Sequence, residues 1–254
     1  MSSSTAFLHK EFLEIVKTWR IWVLPGMLLF FGISSPLIAL LTPTLVSSIA
    51  GSQPGVVIQV PDPVPLDAYK QFLKNLDQIV LITIVIAGAG VVSGECRAGT
   101  AALILTKPLS RTGFILAKIT AQQILVVGAV AVGTGVCAGM TTLLFGASPA
   151  GGFILSILVW LVLALLMVVV MTLLSALFSS RGGAAGVGLL IYLLLMLLRA
   201  WPLFSKYTFA GLPVASSGLL AGESVPVFWP MVTALVAAGV LAVCACRIFH
   251  RKEL

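Results

Sequence analysis

Charge is the scarcest commodity in this 254-residue chain. Asp, Glu, Lys and Arg together make up 9% of it, against about 25% in an ordinary soluble domain. The two histidines, His9 and His250, lie close to the two chain ends, so the commonest general base and metal ligand is missing from the interior. No Gly-x-x-x-x-Gly-Lys-Ser/Thr phosphate loop is present, and no His-Glu-x-x-His or Gly-x-Ser-x-Gly motif. The chain therefore reads as a non-enzyme with no ATPase motif of its own. Cysteine is also sparse: Cys96, Cys137, Cys244 and Cys246. The last two are two residues apart and would point to different faces of a helix, so neither a disulfide framework nor a metal site is expected. A cleavable signal peptide is not expected either. The first apolar run begins near Trp22 after a 21-residue charged lead, with no small-residue cleavage pattern behind it, and reads as a retained span.

What is present is apolar side chain, 59% of the sequence. A water-soluble fold of this size could not bury that much. The expected fold class is all-α, a polytopic membrane protein in one domain over residues 1–254 with six transmembrane helices. The spans are placed at about 22–41, 79–94, 119–145, 153–178, 182–198 and 228–246. Span 1 carries Pro25, Gly26 and Pro36, which would bend it. Two small-x-x-x-small pairs, Gly135 with Gly139 and Gly182 with Gly186, would let helices approach closely.

Residues 5–20 read as an amphipathic helix. Leu8, Phe12, Ile15, Val16 and Trp19 repeat at helical spacing, and Lys10, Glu11, Glu14 and Lys17 fall largely on the other side. Such a helix lies in the membrane interface or packs on other protein; the span that follows directly favours the interface. The segment 42–78 begins as an extended loop through Pro54, Pro61, Pro63 and Pro65, and from Asp67 to Gln78 becomes a helix leading into span 2. Residues 199–227 are too apolar for a free loop and are expected to form short interfacial or re-entrant helices. Lys and Arg divide 11 to 4 between the two sides of this layout. That bias puts both termini in the cytoplasm, with the chain in the plasma (inner) membrane, and topology explains the net charge of +7 without nucleic acid as a partner.

The span cores hold no Asp, Glu, Lys, Arg or His. Ion-coupled carriers and pumps place such groups at mid-membrane, so ion coupling is not expected. The densest charged interval is 95–118, GECRAGTAALILTKPLSRTGFILAK from Gly94 onward, with Glu95, Arg97, Lys107, Arg111 and Lys118. Its apolar middle, residues 101–105, is bounded by Thr100 and by Lys107-Pro108. The pattern predicts a short half-buried helix lying on the membrane or on a partner, ended by Pro108.

These residues resemble the permease subunit of the ABC-2 type transporter family. The resemblance rests on the amphipathic entry helix, the six spans, the tract YKQFLKNLD at 69–77, and a Glu…Gly-Thr…Leu…Lys-Pro-x-Ser-Arg…Lys loop. In this sequence that loop is Glu95, Gly99, Thr100, Leu105, Lys107, Pro108, Ser110, Arg111 and Lys118. The resemblance implies that 95–118 contains a coupling helix docked on a cytoplasmic ABC ATPase subunit, present in two copies and holding the ATP and Mg. The short loop at Arg181 would be a second contact. Glu95, Arg97, Lys107 and Arg111 would pair with or cap groups on the ATPase, the alternative for the bases being contact with lipid headgroups. A second permease subunit, identical or similar, would complete an exporter embedded in membrane lipid. The rival readings are an ATP-independent six-span carrier or channel, and a membrane assembly factor.

Overall fold

A computed structural model of the chain describes residues 3–18, 20–50, 61–106, 110–146 and 150–252. Among the described residues all regular structure is helical: α1 (Ser3–Lys17), α2 (Arg20–Ala50), α3 (Pro65–Asn75), α4 (Leu81–Gly88), α5 (Ser93–Arg97), α6 (Thr100–Leu105), α7 (Arg111–Phe145), α8 (Gly151–Leu177), α9 (Arg181–Leu198), α10 (Pro202–Tyr207), α11 (Leu212–Leu220) and α12 (Phe228–Arg251). Six helical columns are long and apolar enough to cross a membrane: Ile21–Val46, Pro65–Arg97, Arg111–Phe145, Gly151–Leu177, Arg181–Leu198 and Phe228–Arg251. The protein is an all-α polytopic membrane protein.

The differences from the sequence reading lie at the column ends and have local causes. α2 continues to Ala50 and runs through Pro25, Pro36 and Pro43 as one helix, so the first nine residues of the expected extended loop are helical. Pro54, with the rest of 51–60, lies outside the described residues, as do Trp19, Lys107 and Pro108. Span 2 is not a separate element joined to a helix above it. α3 passes through a π-helical turn (Leu76–Val80) into α4 and, after a break at 89–92, into α5. Pro65 at its start supplies the fixed φ a first helical turn needs, and the Val64 N–H donates to Asp67 Oδ2 at 3.1 Å.

α8 is the central element. Seventeen of its residues are buried, among them Trp160, Met167 and Met171, and it packs against α4, α7, α9, α11 and α12. The 199–227 interval folds, as expected, into short helices, and α11 lies along α8 with Ser216 Oγ donating to Ser156 O at 2.7 Å. At the same end Arg199 pairs with Asp77, and the Tyr192 hydroxyl donates to Asp77 O at 2.9 Å, so α9 is clamped to the π-helical turn. Apart from that clamp, α9 turns only a narrow stripe inward, with Ala184, Gly188 and Tyr192 buried.

The close helix approaches are not where the small-residue pairs placed them. A side chain at Gly135, Gly139, Gly182 or Gly186 would meet nothing within 4 Å. The backbones meet instead at Gly32 and Gly133, where α2 crosses α7: a Cβ on Gly133 would lie 2.9 Å from Leu28 Cβ, and one on Gly32 would lie 2.8 Å from Gly133 O. Gly88 and Gly188 make a second approach, both against Met171. The spacing rule finds small residues on one face of a helix and says nothing about whether that face meets a neighbour.

Gly133→Val is expected to lower the midpoint of thermal unfolding in detergent, by an overpacking cost of about 1–3 kcal/mol. Gly135→Val, two residues away on an open face, is expected to leave the midpoint unchanged. Equal effects would refute the α2–α7 crossing.

Candidate functional site: the charged platform at one end of the bundle

The interval 95–118 sits at the end of the bundle that also carries α1, the 179–181 loop and the last turn of α12. Its middle is α6, as the sequence pattern predicts. Gly99 precedes it with φ +70°, a left-handed conformation that glycine adopts without a Cβ clash, and this turns the chain sharply from α5 into α6. The Thr100 hydroxyl donates to Glu95 O at 3.2 Å and fixes the corner. α6 projects outward: Ala101 is buried, Ala102 and Thr106 are exposed, and Leu103 is 70% exposed.

Behind this corner lies a cluster of buried charge. Lys118 is 2% exposed and its Nζ sits 2.8 Å from Glu95 Oε1 and 3.0 Å from Glu11 Oε2. Lys10 Nζ closes the other side, 3.1 Å from Glu95 Oε1 and 3.0 Å from Glu11 Oε1, and also pairs with Glu14. Two lysines and two carboxylates thus alternate in a ring that joins α1, α5 and α7. An isolated charge buried this deeply would cost several kcal/mol, and only close, hydrogen-bonded pairing offsets it. Burial of Lys10 would lower its pKa, but the hydrogen bond to Glu14 and the charges of Glu11 and Glu95 outweigh that and hold the ammonium above its ordinary range. The stability this contributes is fully present below the ordinary lysine value of 10.5 and falls away only as pH rises toward the folded-state value. The Glu11, Glu14 and Glu95 oxygens lie within 4.8 Å of one another, a spacing that could hold a cation, and the two ammonium groups take up that role.

The ring rests on an aromatic column. Phe114 stacks on Phe7 at 5.3 Å and on Phe249 at 5.0 Å, joining α1, α7 and α12, and Lys118 Nζ lies 5.0 Å from the centre of the Phe114 ring. Cation–π contacts of this kind add about 0.5–2 kcal/mol.

Four further bases brace the platform. Arg97 donates through Nε and Nη2 to Ser179 O at 3.2 and 2.7 Å. The Arg181 side chain lies over Gly90 and Gly94, where a Cβ on either glycine would come within 2.8 Å of a guanidinium nitrogen. Ser175 Oγ on α8 accepts from the N–H groups of Val92 and Ser93 at 3.0 and 3.1 Å, taking donors freed by the break before α5. Arg111 donates to the carbonyls of Phe249, His250 and Lys252, the last turn of α12, and Lys252 Nζ donates to Ala176 O at 2.7 Å. Ser110 and Ser180 cap α7 and α9, each accepting from the N–H three residues on.

Of the residues singled out in the sequence, Glu95, Arg97, Gly99, Thr100, Arg111, Lys118 and Arg181 therefore meet at one platform. Glu95 and Lys118 are turned inward, and Arg97 and Arg111 are bonded to the protein's own carbonyls. Lys107 and Pro108 lie outside the described residues, and so does the side chain of Leu105. Sequence reasoning placed Lys10 and Glu11 on the side of α1 opposite its apolar residues and did not mark them as part of the site. Glu11 is 5% exposed, while Phe12, Leu13 and Val16 are exposed. The helix directs Glu11 at the lysine of α7 and packs Phe7 in the aromatic column, while Phe12, Leu13 and Val16 face outward.

Helical columns that span a membrane, joined at one end by a charged platform, define the class: an integral membrane protein with a built interfacial face. More narrowly, a family profile described as "Protein of unknown function (DUF2705)" matches residues 38–254, and the chain belongs to that family. The chain is also similar to "Uncharacterized transmembrane protein YxlG" of Bacillus subtilis (strain 168), at 24% identity over 256 residues covering 100% of this chain and 99% of that protein.

Lys118→Met removes the more deeply buried of the two lysines shared by Glu11 and Glu95 and is expected to destabilise the protein by about 3–5 kcal/mol. Lys10→Ala, at a partly exposed position, is expected to cost no more than about 1 kcal/mol. Unfolding in detergent checks the ranking. Similar losses for the two variants would show that Lys118 is not the hub.

Proposed function

We propose that this chain is the membrane-spanning permease subunit of an ABC-2 type transporter, acting as an exporter driven by a separate cytoplasmic ATPase. The observation that carries the reading is α6: a short helix with an exposed leucine, held on a platform cross-braced to α1, α7, α8 and α12. A helix that is to transmit a push from a partner must not yield against its own bundle, and the Glu95, Arg97 and Arg181 contacts prevent that. The chain brings no phosphate loop, and the span cores as placed from the sequence hold no Asp, Glu, Lys, Arg or His, so energy for uphill movement enters from a partner. In this reading α6 is the coupling helix. Its contact with the ATPase is made by its exposed face at Thr100, Leu103 and Thr106, with Arg181 beside it. Glu95 and Lys118 hold the helix in place and do not themselves touch the ATPase.

The platform and both termini face the cytoplasm in this account, because Lys and Arg divide 11 to 4 in favour of that side. The membrane is the plasma membrane. Two permeases would associate through span faces that the single chain leaves uncovered, such as the outer side of α9 with Leu190, Leu193, Leu194 and Leu197 exposed. Two ATPases, carrying ATP and Mg, would close against the pair of platforms.

The test is co-purification from the native host in mild detergent, with ATP hydrolysis assayed on the product. An ATPase is expected with the native chain. Leu103→Glu is expected to weaken its retention at least ~10-fold, since a buried leucine contributes about 1.5–3 kcal/mol, with the thermal midpoint of the chain unchanged. An ATPase held equally by the variant would move the contact off α6. Recovery of no ATPase with an intact permease would overturn the transporter reading.

A further inference from the structure

On the same end of the bundle, the bases separate into those the protein uses and those it does not. Lys10, Lys118, Arg97, Arg111 and Lys252 each bond to a carboxylate or a carbonyl. The side chains of Arg247, His250 and Arg251 make no hydrogen bond or ion pair with any described residue. Bases near a helix C-terminus usually serve its last carbonyls. Here Arg111, reaching across from α7, has taken those carbonyls, so that explanation is spent.

Arg247, His250 and Arg251 line one groove. It has a volume of about 530 Å³ and runs between the first turns of α7 and the last turns of α12, with Thr112 and Leu116 on one wall. Residues 247, 250 and 251 share one face of α12 because they are spaced three and four apart. That face continues toward the membrane as Ala242 and Val243 in the groove floor, and then as exposed Val240 and Val236. From Val243 to Arg251 is eight residues, about 12 Å of helix. The groove is therefore apolar below and basic above, with no acid among its described lining residues. One wall, Leu116, is half exposed on the outside of the bundle.

We propose that this groove is a binding site for an anionic phospholipid of the leaflet that meets the chain termini. The acyl chains lie along Leu116, Ala242 and Val243, and the phosphate meets Arg247 and Arg251. A soluble anion would leave the apolar floor uncovered, and a zwitterionic lipid would leave the two guanidinium groups with no net charge to meet. Bound there, the lipid bridges α7 and α12 beside the Phe114–Phe249 stack. The proposal does not depend on an ATPase docking at α6.

The experiment is native mass spectrometry of the full chain in detergent, titrated with phosphatidylglycerol and separately with phosphatidylcholine. Each base near the headgroups contributes about fivefold to anionic-lipid affinity, so Arg247→Gln with Arg251→Gln is expected to weaken the first phosphatidylglycerol adduct ~30-fold. Lys70→Gln with Lys74→Gln, which removes the same charge at the far end of the bundle, is expected to leave that adduct unchanged. Phosphatidylcholine is expected to bind weakly to all three proteins. Equal phosphatidylglycerol affinity in the α12 variant would overturn the site. So would an equal loss in the α3 variant, which would reduce the effect to net charge, or phosphatidylcholine binding as tight as phosphatidylglycerol. If the α12 variant keeps its lipid affinity and loses a co-purified protein, the groove belongs to that protein and the lipid assignment fails.

Discussion

Everything at one end of this molecule depends on the ammonium group of Lys118. It is the most deeply buried charge of the cluster and touches carboxylates from two other elements, Glu11 of α1 and Glu95 of α5. A buried lysine left alone would shed its proton or draw in water. With two acids against it, and Lys10 shared between them, it fixes the entry helix and the start of the charged interval to the third span. The aromatic column beneath extends the same tie to the last helix. The result is a plate of four elements at the membrane surface, whose parts cannot move independently without exposing unpaired charge.

That plate gives meaning to the small helix it carries. α6 has six residues, too few to be stable alone. It persists because Gly99 sets the turn, Thr100 locks the corner and Ala101 is buried beneath it. A helix supported in this way presents Leu103 in a defined direction. The division of labour is physical: buried ion pairs supply rigidity, arginine–carbonyl bonds supply bracing between loops, and the exposed leucine takes part in neither.

The sequence revealed the fold well because a membrane span needs little more than length and apolar composition. All six columns were legible on that ground, as was α6, bounded by a glycine-threonine start and a lysine-proline end. Lys10 and Glu11 were not. Glu11 and Lys118 are 107 residues apart, and nothing local in either marks the other. The helical wheel of α1 separates charged from apolar residues, but it cannot show that Glu11 meets a buried partner on another helix. Phe12 and Val16 are exposed, and the protein interior offers the complementary charge to Glu11. The glycine pairs failed for a related reason. Gly135 and Gly139 have the right spacing on a face that meets no neighbour, whereas Gly32 and Gly133, which do meet, lie on different spans, and spacing within one span cannot pair them.

The most direct measurement of the central claim is the distance between α1 and α6. Spin labels at His9 and Leu103, on a chain whose four native cysteines are replaced by alanine, would report it by double electron–electron resonance in lipid nanodiscs. If Lys118 holds the plate together, the native chain gives one narrow distance distribution and Lys118→Met gives a broad or shifted one. A narrow and unchanged distribution in Lys118→Met would contradict the account, because the plate would then be held by something other than its buried charge.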